Sequence, residues 1–233
     1  MGIGYSLIAG LLGAGAAIAI VFSSERIQES IAWRSAQIFG RSSAYQMDLE
    51  RATIALWSRG IATAPENSTV LLGDSHFHGL PASALGPNTI NLAIGGLTVT
   101  RLEKYLKSGE LVMPPKVRRF IVLIGQNDIH ESITLDQINS AVKDLFTRLT
   151  SQGKLQVVSL IPGEKIKESE AHYQKSIAVN KILSDQCLAT PQCAMITSKA
   201  LLNDNGIIKP QYAAPDGIHL NELGYKKLLE TLL

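Results

Sequence analysis

The hydrophobic and polar positions of the chain form two kinds of pattern. Segments with helical periodicity lie at residues 99–108, 135–151 and 168–186, with Thr134 as N-cap of the second, and a last helix is predicted at 221–233. Between them, short runs rich in Val, Ile and Leu predict buried β-strands at residues 69–72, 89–93, 119–124, 155–160 and 194–197. Because strands alternate with helices, the pattern predicts a parallel sheet covered by helices.

The N-terminal pattern is different. Residues 3–22 carry no charge and consist mainly of Ile, Leu, Ala and Gly. At about 1.5 Å per residue, a helix of this length spans a hydrocarbon core of roughly 30 Å. We therefore predict an uncleaved transmembrane helix. A cleaved signal peptide is the alternative, but no basic region precedes the apolar run.

These patterns predict three segments, which are a transmembrane anchor at residues 1–23, a helical stalk or packing segment at 24–64 and one α/β domain at 65–233. The middle segment is amphipathic, with a break near Gly40. The last segment is long enough for one well-buried core.

Charge excludes one class of function. The 22 Lys and Arg residues exceed the 20 Asp and Glu residues by only two, and the charges are interspersed. A nucleic-acid-binding domain would carry a basic cluster, so we predict no nucleic-acid partner.

The two cysteines bear on the compartment. Cys187 and Cys193 are close enough in sequence to form a disulfide in an oxidising compartment, with two buried thiols as the alternative. Arg26, Arg34 and Arg41 follow the predicted anchor and favour a cytoplasmic domain. We give more weight to the cysteines and predict an extracytoplasmic, periplasmic domain.

Polar or glycine-rich residues follow three of the predicted strands. Ser75 follows the first, in the run Gly-Asp-Ser-His, Gly95-Gly96 follows the second, and Asn127-Asp128 follows the third. Ligands bind parallel sheets beyond the carboxyl ends of the strands, so we expect these residues to converge at one edge.

Ser75 has candidate partners near the C-terminus. A serine hydroxyl is a weak nucleophile unless an imidazole removes its proton and a carboxylate orients the ring. Asp216 and His219, three positions apart, could supply both groups. The alternative is that Asp216 caps the C-terminal helix and His219 lies on the surface.

Acyl transfer also needs donors that stabilise an oxyanion. A glycine N–H can approach closely, and an asparagine amide adds a further donor. Gly96 and Asn127 are the candidates. A glycine after a strand is more commonly a turn former, and an Asn-Asp pair commonly caps a helix.

The ordered set of Gly-Asp-Ser, Gly96, Gly-x-Asn-Asp and Asp-x-x-His resembles the SGNH family, also called the GDSL hydrolases, over about residues 69–233. The resemblance implies a flavodoxin-like three-layer α/β/α sandwich with a five-stranded parallel sheet. It implies that Ser75 is the nucleophile, His219 the base and Asp216 its orienting partner. It also implies that Ser75, Gly96 and Asn127 provide the oxyanion donors.

The chain departs from the family pattern at two positions. His76 stands where the family usually has leucine, and Leu220 where proline often follows the histidine. Neither position is expected to perform chemistry. The Gly-x-Ser-x-Gly elbow of α/β-hydrolases is absent, which argues against that other serine-hydrolase fold.

A metal site is the rival interpretation of the same loops. The side chains of Asp74, His76, His78, Asp128 and His130 could ligate one or two metals and serve a phosphoesterase, but the middle Gly-Asp-x-x-Asp block of such enzymes is missing. We therefore predict no metal and no cofactor. Four of these side chains are also candidate substrate contacts: His76, His78, Asp128 and His130.

The predicted function is a membrane-anchored serine esterase acting on an acyl ester. The loops at residues 163–170 and 202–215 lack the apolar density of a long-chain acyl pocket, which favours a small acyl group on a polar or glycan carrier. An acyltransferase with the same three residues is one alternative, and a membrane-tethered binding or scaffold protein is another. The sequence makes no prediction of oligomeric state.

Overall fold

The computed structural model describes residues 43–61 and 64–233. The chain divides into two compact units, Met1–Leu49 and Glu50–Leu233, and the sheet and the candidate site belong to the second. The predicted anchor lies outside the described residues, as do residues 24–42 and 62–63 of the predicted stalk segment. Across the two described ranges, no helix has the length and apolar character needed to span a bilayer.

A five-stranded parallel sheet forms the centre of the second unit. Its order is β2-β1-β3-β4-β5, and every neighbouring pair is parallel, as the strand pattern predicted. The strands are β1 Ser68–Gly73, β2 Thr89–Asn91, β3 Val117–Leu123, β4 Lys154–Val158 and β5 Cys193–Ile196.

The described helices include those that the periodicity predicted. Helix α3 has the predicted bounds, and α5 begins with a capping box between Thr134 and Gln137. Two single-turn helices, α2 and α4, were not predicted because they are too short to show a period. The helices are α1 Ser43–Ile61, α2 Ser75–His78, α3 Val99–Ser108, α4 Gln126–His130, α5 Leu135–Thr150, α6 Glu170–Ala189 and α7 Glu222–Leu232. Short 3-10 helices occur at Ala82–Leu85, Glu164–Glu168, Lys199–Leu201 and Pro210–Tyr212.

The sheet is buried on both faces. Successive strand residues point to opposite sides, so Val70 and Leu72 pack in the larger core cluster with α3, α5 and α6. Leu71, between them, packs in a second cluster with α7. This arrangement is a three-layer α/β/α sandwich, and the near-continuous apolar strands are explained by burial on both faces.

Strand β1 lies where the strand order reverses. The chain passes from β1 to β2 on one side and then to β3 on the other. The crevice at the carboxyl ends of such strands is the usual binding position in open parallel sheets. At the far edge of the sheet, a disulfide joins Cys187 of α6 to Cys193 of β5, so the alternative of two free thiols is wrong.

Candidate active site

Ser75 is the first residue of α2, directly after β1. The residues around it form a tight turn, the Ser75 loop, residues 73–78. Asp74 is the N-cap of α2, and its Oδ1 accepts a hydrogen bond from the His76 N–H at 3.1 Å. Gly73 approaches β3 so closely that a Cβ there would lie 2.1 Å from the Leu123 carbonyl oxygen. A glycine is therefore required for β1 to deliver Ser75 at this point.

Ser75, His219 and Asp216 are joined by consecutive hydrogen bonds. The Ser75 Oγ lies 2.9 Å from the His219 Nε2, across 144 positions of sequence. The His219 Nδ1 lies 2.6 Å from the Asp216 Oδ2. A hydroxyl, an imidazole and a carboxylate in this order form the geometry that activates a serine for attack on a carbonyl carbon.

Asp216 also organises the backbone around it. Its Oδ1 accepts the N–H groups of Ile218 and His219, both at 2.9 Å. Partial burial raises the pKa of Asp216, but the hydrogen bonds from His219 and Ile218 outweigh it and hold the pKa below its ordinary range. The carboxylate is therefore ionised at neutral pH. It does not cap the C-terminal helix, because Asn221 is the N-cap of α7.

The turn that carries His219 and Asp216, the His219 loop, residues 214–219, is held by the segment after β4. The Lys165 N–H donates to the Gly217 carbonyl oxygen at 3.2 Å. A Cβ on Gly163 would lie 2.3 Å from the same oxygen, so glycine permits the two segments to approach this closely. Solvent reaches this loop, because 37% of the His219 side chain and 46% of the Asp216 side chain are exposed.

Gly96 and Asn127 lie on the two loops beside Ser75. The Gly95 N–H donates to the His78 Nδ1 at 3.1 Å, which leaves the Gly96 N–H as the donor of this pair. The Asn127 Nδ2 donates to the Leu97 carbonyl oxygen at 3.0 Å, which uses one of its two amide hydrogens. Within the described ranges, the N–H groups of Ser75 and Gly96 make no hydrogen bond to the protein. These two N–H groups and the second Asn127 amide hydrogen are therefore available for a further hydrogen bond.

Two of the candidate substrate contacts, His76 and Asp128, have buried side chains in the structure. The His76 side chain is 2% exposed, and its ring centroid lies 5.7 Å from that of His219. Asp128 is fully buried. Its Oδ2 accepts a hydrogen bond at 3.0 Å from the N–H of Val99, the first residue of α3, so Asp128 caps that helix although it is distant in sequence. Burial raises the pKa of Asp128 to about 6. Both side chains pack inside the protein, His76 beside Asp74 in the Ser75 loop and Asp128 against the first residue of α3.

The other two candidate contacts are exposed. The His78 Nδ1 accepts a hydrogen bond from the Gly95 N–H, so the Nε2 edge of the ring is the part available to a ligand. His130 packs against His172 edge to face at 4.9 Å between ring centroids. Partial burial of the imidazole, together with the nearby His172 and Lys175, lowers the pKa of His130, which favours the neutral ring.

A cavity of about 400 Å³ opens beside the His219 loop. Its walls come from the segments after β3 and β4, from α6 and from Gly217 and Ile218. Lys165 and His172 lie on this wall with Gln126 and His130, although no sequence motif marked Lys165 or His172. Because Lys165 and His172 are 90 and 97 positions from Ser75 in sequence, only the fold places them beside the His219 loop.

The rival set of metal ligands does not assemble into a cluster. Asp74 and His76 contact each other, with Oδ1 and Nδ1 3.5 Å apart, and both are buried. Of the side chains that the structure describes, no three His, Cys, Asp or Glu are grouped so that they could hold a metal ion.

Comparison with known proteins identifies the family. Residues 63–227 match the GDSL-like Lipase/Acylhydrolase family, and this match covers well over half of the chain. Curated protein sequences contain no significant match.

Solved structures share the fold at low sequence identity. A Streptococcus pneumonia protein described as a platelet activating factor aligns with a TM-score of 0.71 and 18% identity, covering 84% of this chain and 97% of its own. A GDSL-like lipase from Bacteroides thetaiotaomicron aligns with a TM-score of 0.65 and 17% identity, covering 78% of this chain and 96% of its own.

A variant of an acetyl xylan esterase from Geobacillus stearothermophilus aligns with a TM-score of 0.57 and 15% identity, covering 72% of this chain and 93% of its own.

The family match, the parallel sheet and the serine at the reversal of strand order agree with one another. The chain therefore belongs to the GDSL-like lipase/acylhydrolase family and is an ester hydrolase.

Proposed function

We propose that the protein is a serine esterase in which Ser75 is the nucleophile, His219 the general base and Asp216 its orienting partner. One observation carries the proposal, namely the continuous hydrogen bonding from the Ser75 Oγ through His219 to Asp216, at 2.9 and 2.6 Å. The ionised Asp216 fixes the ring so that its Nε2 faces the hydroxyl, and it stabilises the imidazolium that forms during the reaction.

The reaction proceeds in two halves. In the first, the Ser75 Oγ attacks the acyl carbon while the His219 Nε2 takes the hydroxyl proton. The tetrahedral intermediate collapses as the ester C–O bond breaks, and His219 returns the proton to the departing alcohol. In the second, His219 removes a proton from water, the resulting hydroxide attacks the acyl-enzyme, and the acid leaves as Ser75 regains its proton.

Three donors stabilise the negative oxygen of each tetrahedral intermediate. They are the N–H groups of Ser75 and Gly96 and the second amide hydrogen of Asn127. Support comes from their availability, since the neighbouring Gly95 N–H and the first Asn127 hydrogen are already bound. Loss of one such donor costs about 100- to 1000-fold in turnover in serine hydrolases.

The substrate that we propose is a small acyl group on a polar or glycan carrier. The cavity beside the His219 loop is lined by an amide, two imidazoles, an ammonium and a carboxylate, which are suited to hydrogen bonding with hydroxyl groups. A structural neighbour is an acetyl xylan esterase, which is consistent with this class of carrier. Solvent access to His219 and Asp216 favours water as the acyl acceptor over a sugar hydroxyl.

We also retain the proposal that an N-terminal helix anchors the enzyme and that the domain is extracytoplasmic. The apolar segment at residues 3–22 supports the anchor, and the disulfide between Cys187 and Cys193 supports an oxidising compartment. Thiol labelling of the protein taken directly from cells tests the compartment, since two reduced cysteines there would contradict it.

Labelling with a fluorophosphonate, together with turnover of a short-chain acyl ester, tests the mechanism. We expect Ser75→Ala to abolish labelling and to lower turnover by a factor on the order of 10⁴ or more. Ser151→Ala, at the exposed end of α5, is the matched control and should leave both unchanged. Labelling that persists in Ser75→Ala would rule out this nucleophile, and no labelling of the native protein would favour a binding or scaffold role.

Product analysis with and without an added sugar separates hydrolysis from transfer. A hydrolase releases free acid in both cases. An acyltransferase instead moves the acyl group to the sugar hydroxyl, and that product would contradict the esterase proposal while leaving the role of Ser75 intact.

A further inference from the structure

The Gly96 loop, residues 94–98, is held by an arginine that the reaction itself does not use. Arg101 lies in the first turn of α3, and its Nη2 donates to the Gly96 carbonyl oxygen at 2.6 Å. This short, charge-assisted hydrogen bond fixes the peptide group on one side of Gly96. On the other side, the His78 Nδ1 accepts from the Gly95 N–H at 3.1 Å. The peptide group that carries the Gly96 N–H is therefore fixed from both sides.

Arg101 is itself held by two carboxylates. Its Nε lies 3.1 Å from both carboxylate oxygens of Glu50, and its Nη1 lies 2.7 and 2.9 Å from those of Glu131. Burial lowers the pKa of Arg101, but the interactions with Glu131 and Glu50 outweigh it, so the pKa is raised and the guanidinium stays charged. Each of the three guanidinium nitrogens thereby donates to a defined acceptor, and the single ammonium group of a lysine could not reproduce this planar arrangement.

Glu50 is the unexpected member of this group. Its side chain is fully buried, and its Oε2 also accepts from the Tyr105 hydroxyl at 2.9 Å. A buried carboxylate is costly unless it is paired, so Glu50 and Arg101 depend on each other. Glu50 belongs to α1, which precedes the family match at residues 63–227, yet it is the first residue of the compact unit that holds the site.

We propose that Glu50 and Arg101 are positioning residues for the oxyanion donor Gly96, so that helix α1 is part of the catalytic apparatus and not only a stalk. The inference rests on the proposed function, since it requires that the Gly96 N–H stabilises an oxyanion. A glycine-rich loop has high conformational freedom. A donor stabilises the transition state best when it is already held in position before the charge develops, so contacts that fix the loop should increase the rate. Arg101 connects the loop to Glu50 on α1 and to Glu131, directly after α4, and so limits its movement.

Kinetics of two substitutions test the proposal on a short-chain acyl ester. Arg101→Lys keeps the charge next to both carboxylates but loses the hydrogen bond from Nη2 to the Gly96 carbonyl oxygen. We expect kcat to fall about 10- to 100-fold with KM changed less than about twofold, because complete loss of a donor costs about 100- to 1000-fold. Glu50→Gln keeps the shape and removes the charge, and Glu131 still holds Arg101. We expect kcat to fall about 3- to 10-fold.

The matched control is Arg51→Lys, on the same helix. Arg51 is exposed and forms an ion pair with Glu110 at 3.2 Å, away from the Gly96 loop. Its kcat and KM should match those of the native enzyme. All assays are run well below the melting temperature of each variant, so that a loss of stability does not lower kcat. Should Arg101→Lys not fold, Glu50→Gln decides the question.

Three outcomes are informative. A fall in kcat at constant KM, in the order Arg101→Lys, Glu50→Gln, Arg51→Lys, supports the proposal. Unchanged kcat in the folded variants, or a rise in KM alone, overturns it, because stabilisation of the transition state would then be intact. Ser75-dependent turnover in the native enzyme is measured beside them, and its absence would count against the proposed function instead.

Discussion

The two loops that meet at the site are constructed in opposite ways. The Ser75 loop is part of the core, since Asp74, His76 and Phe77 are all buried. The His219 loop lies at the surface, where nearly half of the Asp216 side chain is exposed. One hydrogen bond of 2.9 Å, between the Ser75 Oγ and the His219 Nε2, connects them.

The physical cause of each position differs accordingly. Close packing of β1 against β3 fixes Ser75, so its place is set by the same interactions that stabilise the fold. Hydrogen bonds to the backbone fix His219, chiefly those of Asp216 with its own loop and of Lys165 with Gly217. Damage to the first loop should therefore appear as lost stability, and damage to the second as lost turnover.

Asp216→Asn is expected to give the largest contrast between lost turnover and retained stability. The amide cannot stabilise the imidazolium and favours the wrong tautomer, so kcat should fall by a factor on the order of 10³ to 10⁴. Stability at neutral pH should change little, because the side chain is exposed to solvent. Steady-state kinetics and thermal unfolding measure the two effects, with Asp204→Asn in a surface loop as control. A fall in kcat of less than tenfold would contradict the assigned role.

A matched pair of glycine substitutions tests the comparison directly. In Gly73→Ala the new Cβ would lie 2.1 Å from the Leu123 carbonyl oxygen, and in Gly163→Ala it would lie 2.3 Å from that of Gly217. The contacts are equally severe, but only the His219 loop has room to move. We expect Gly73→Ala to lose more than about 3 kcal/mol of unfolding free energy.

For Gly163→Ala we expect a smaller loss of stability, about 1 kcal/mol, and a fall in kcat of about 10- to 100-fold as His219 shifts away from Ser75. Chemical unfolding and kcat of both variants measure the contrast. Equal losses of stability, or native turnover in Gly163→Ala, would show that the two loops are not anchored differently.

The sequence was sufficient to predict the sheet and the main helices, and it provided the candidates for the site. Buried parallel strands leave continuous apolar runs, and the motif residues directly follow them, so Ser75, Gly96 and Asn127 could be predicted to share one edge. Asp216 and His219 were candidates from their side-chain chemistry, but their spacing alone also fits a surface turn, and the family resemblance favoured the catalytic interpretation.

Burial of single polar side chains could not be predicted. His76 and Asp128 lie in one-turn helices, which show no periodicity, and their burial depends on segments distant in sequence. Asp128 caps α3 through Val99, 29 positions away, and Glu50 pairs with Arg101, 51 positions away. Such contacts leave no local pattern in the sequence, because Asp128, Glu50 and Arg101, each taken alone, look like ordinary surface residues.

Asp128 provides the test with the smallest expected effect. Burial raises the pKa of Asp128, whereas hydrogen bonds lower the pKa of Asp216. The pKa of Asp128 rises from 3.8 to about 6. Between these pH values the folded protein holds a proton that the unfolded chain has released. The free energy of unfolding therefore falls as pH rises through this window, by up to about 3 kcal/mol from this one group.

Asp128→Asn cannot ionise and keeps an oxygen that can accept from the Val99 N–H. We expect its unfolding free energy, relative to that of the native protein, to rise by up to about 3 kcal/mol between pH 4 and pH 7. Urea unfolding at each pH unit measures the difference. Asp216→Asn is the control, because the pKa of Asp216 is lowered and its contribution is lost only as pH falls below about 4, so its difference from the native protein should stay flat. Parallel curves for Asp128→Asn and the native protein would show that the buried carboxyl does not titrate in this range.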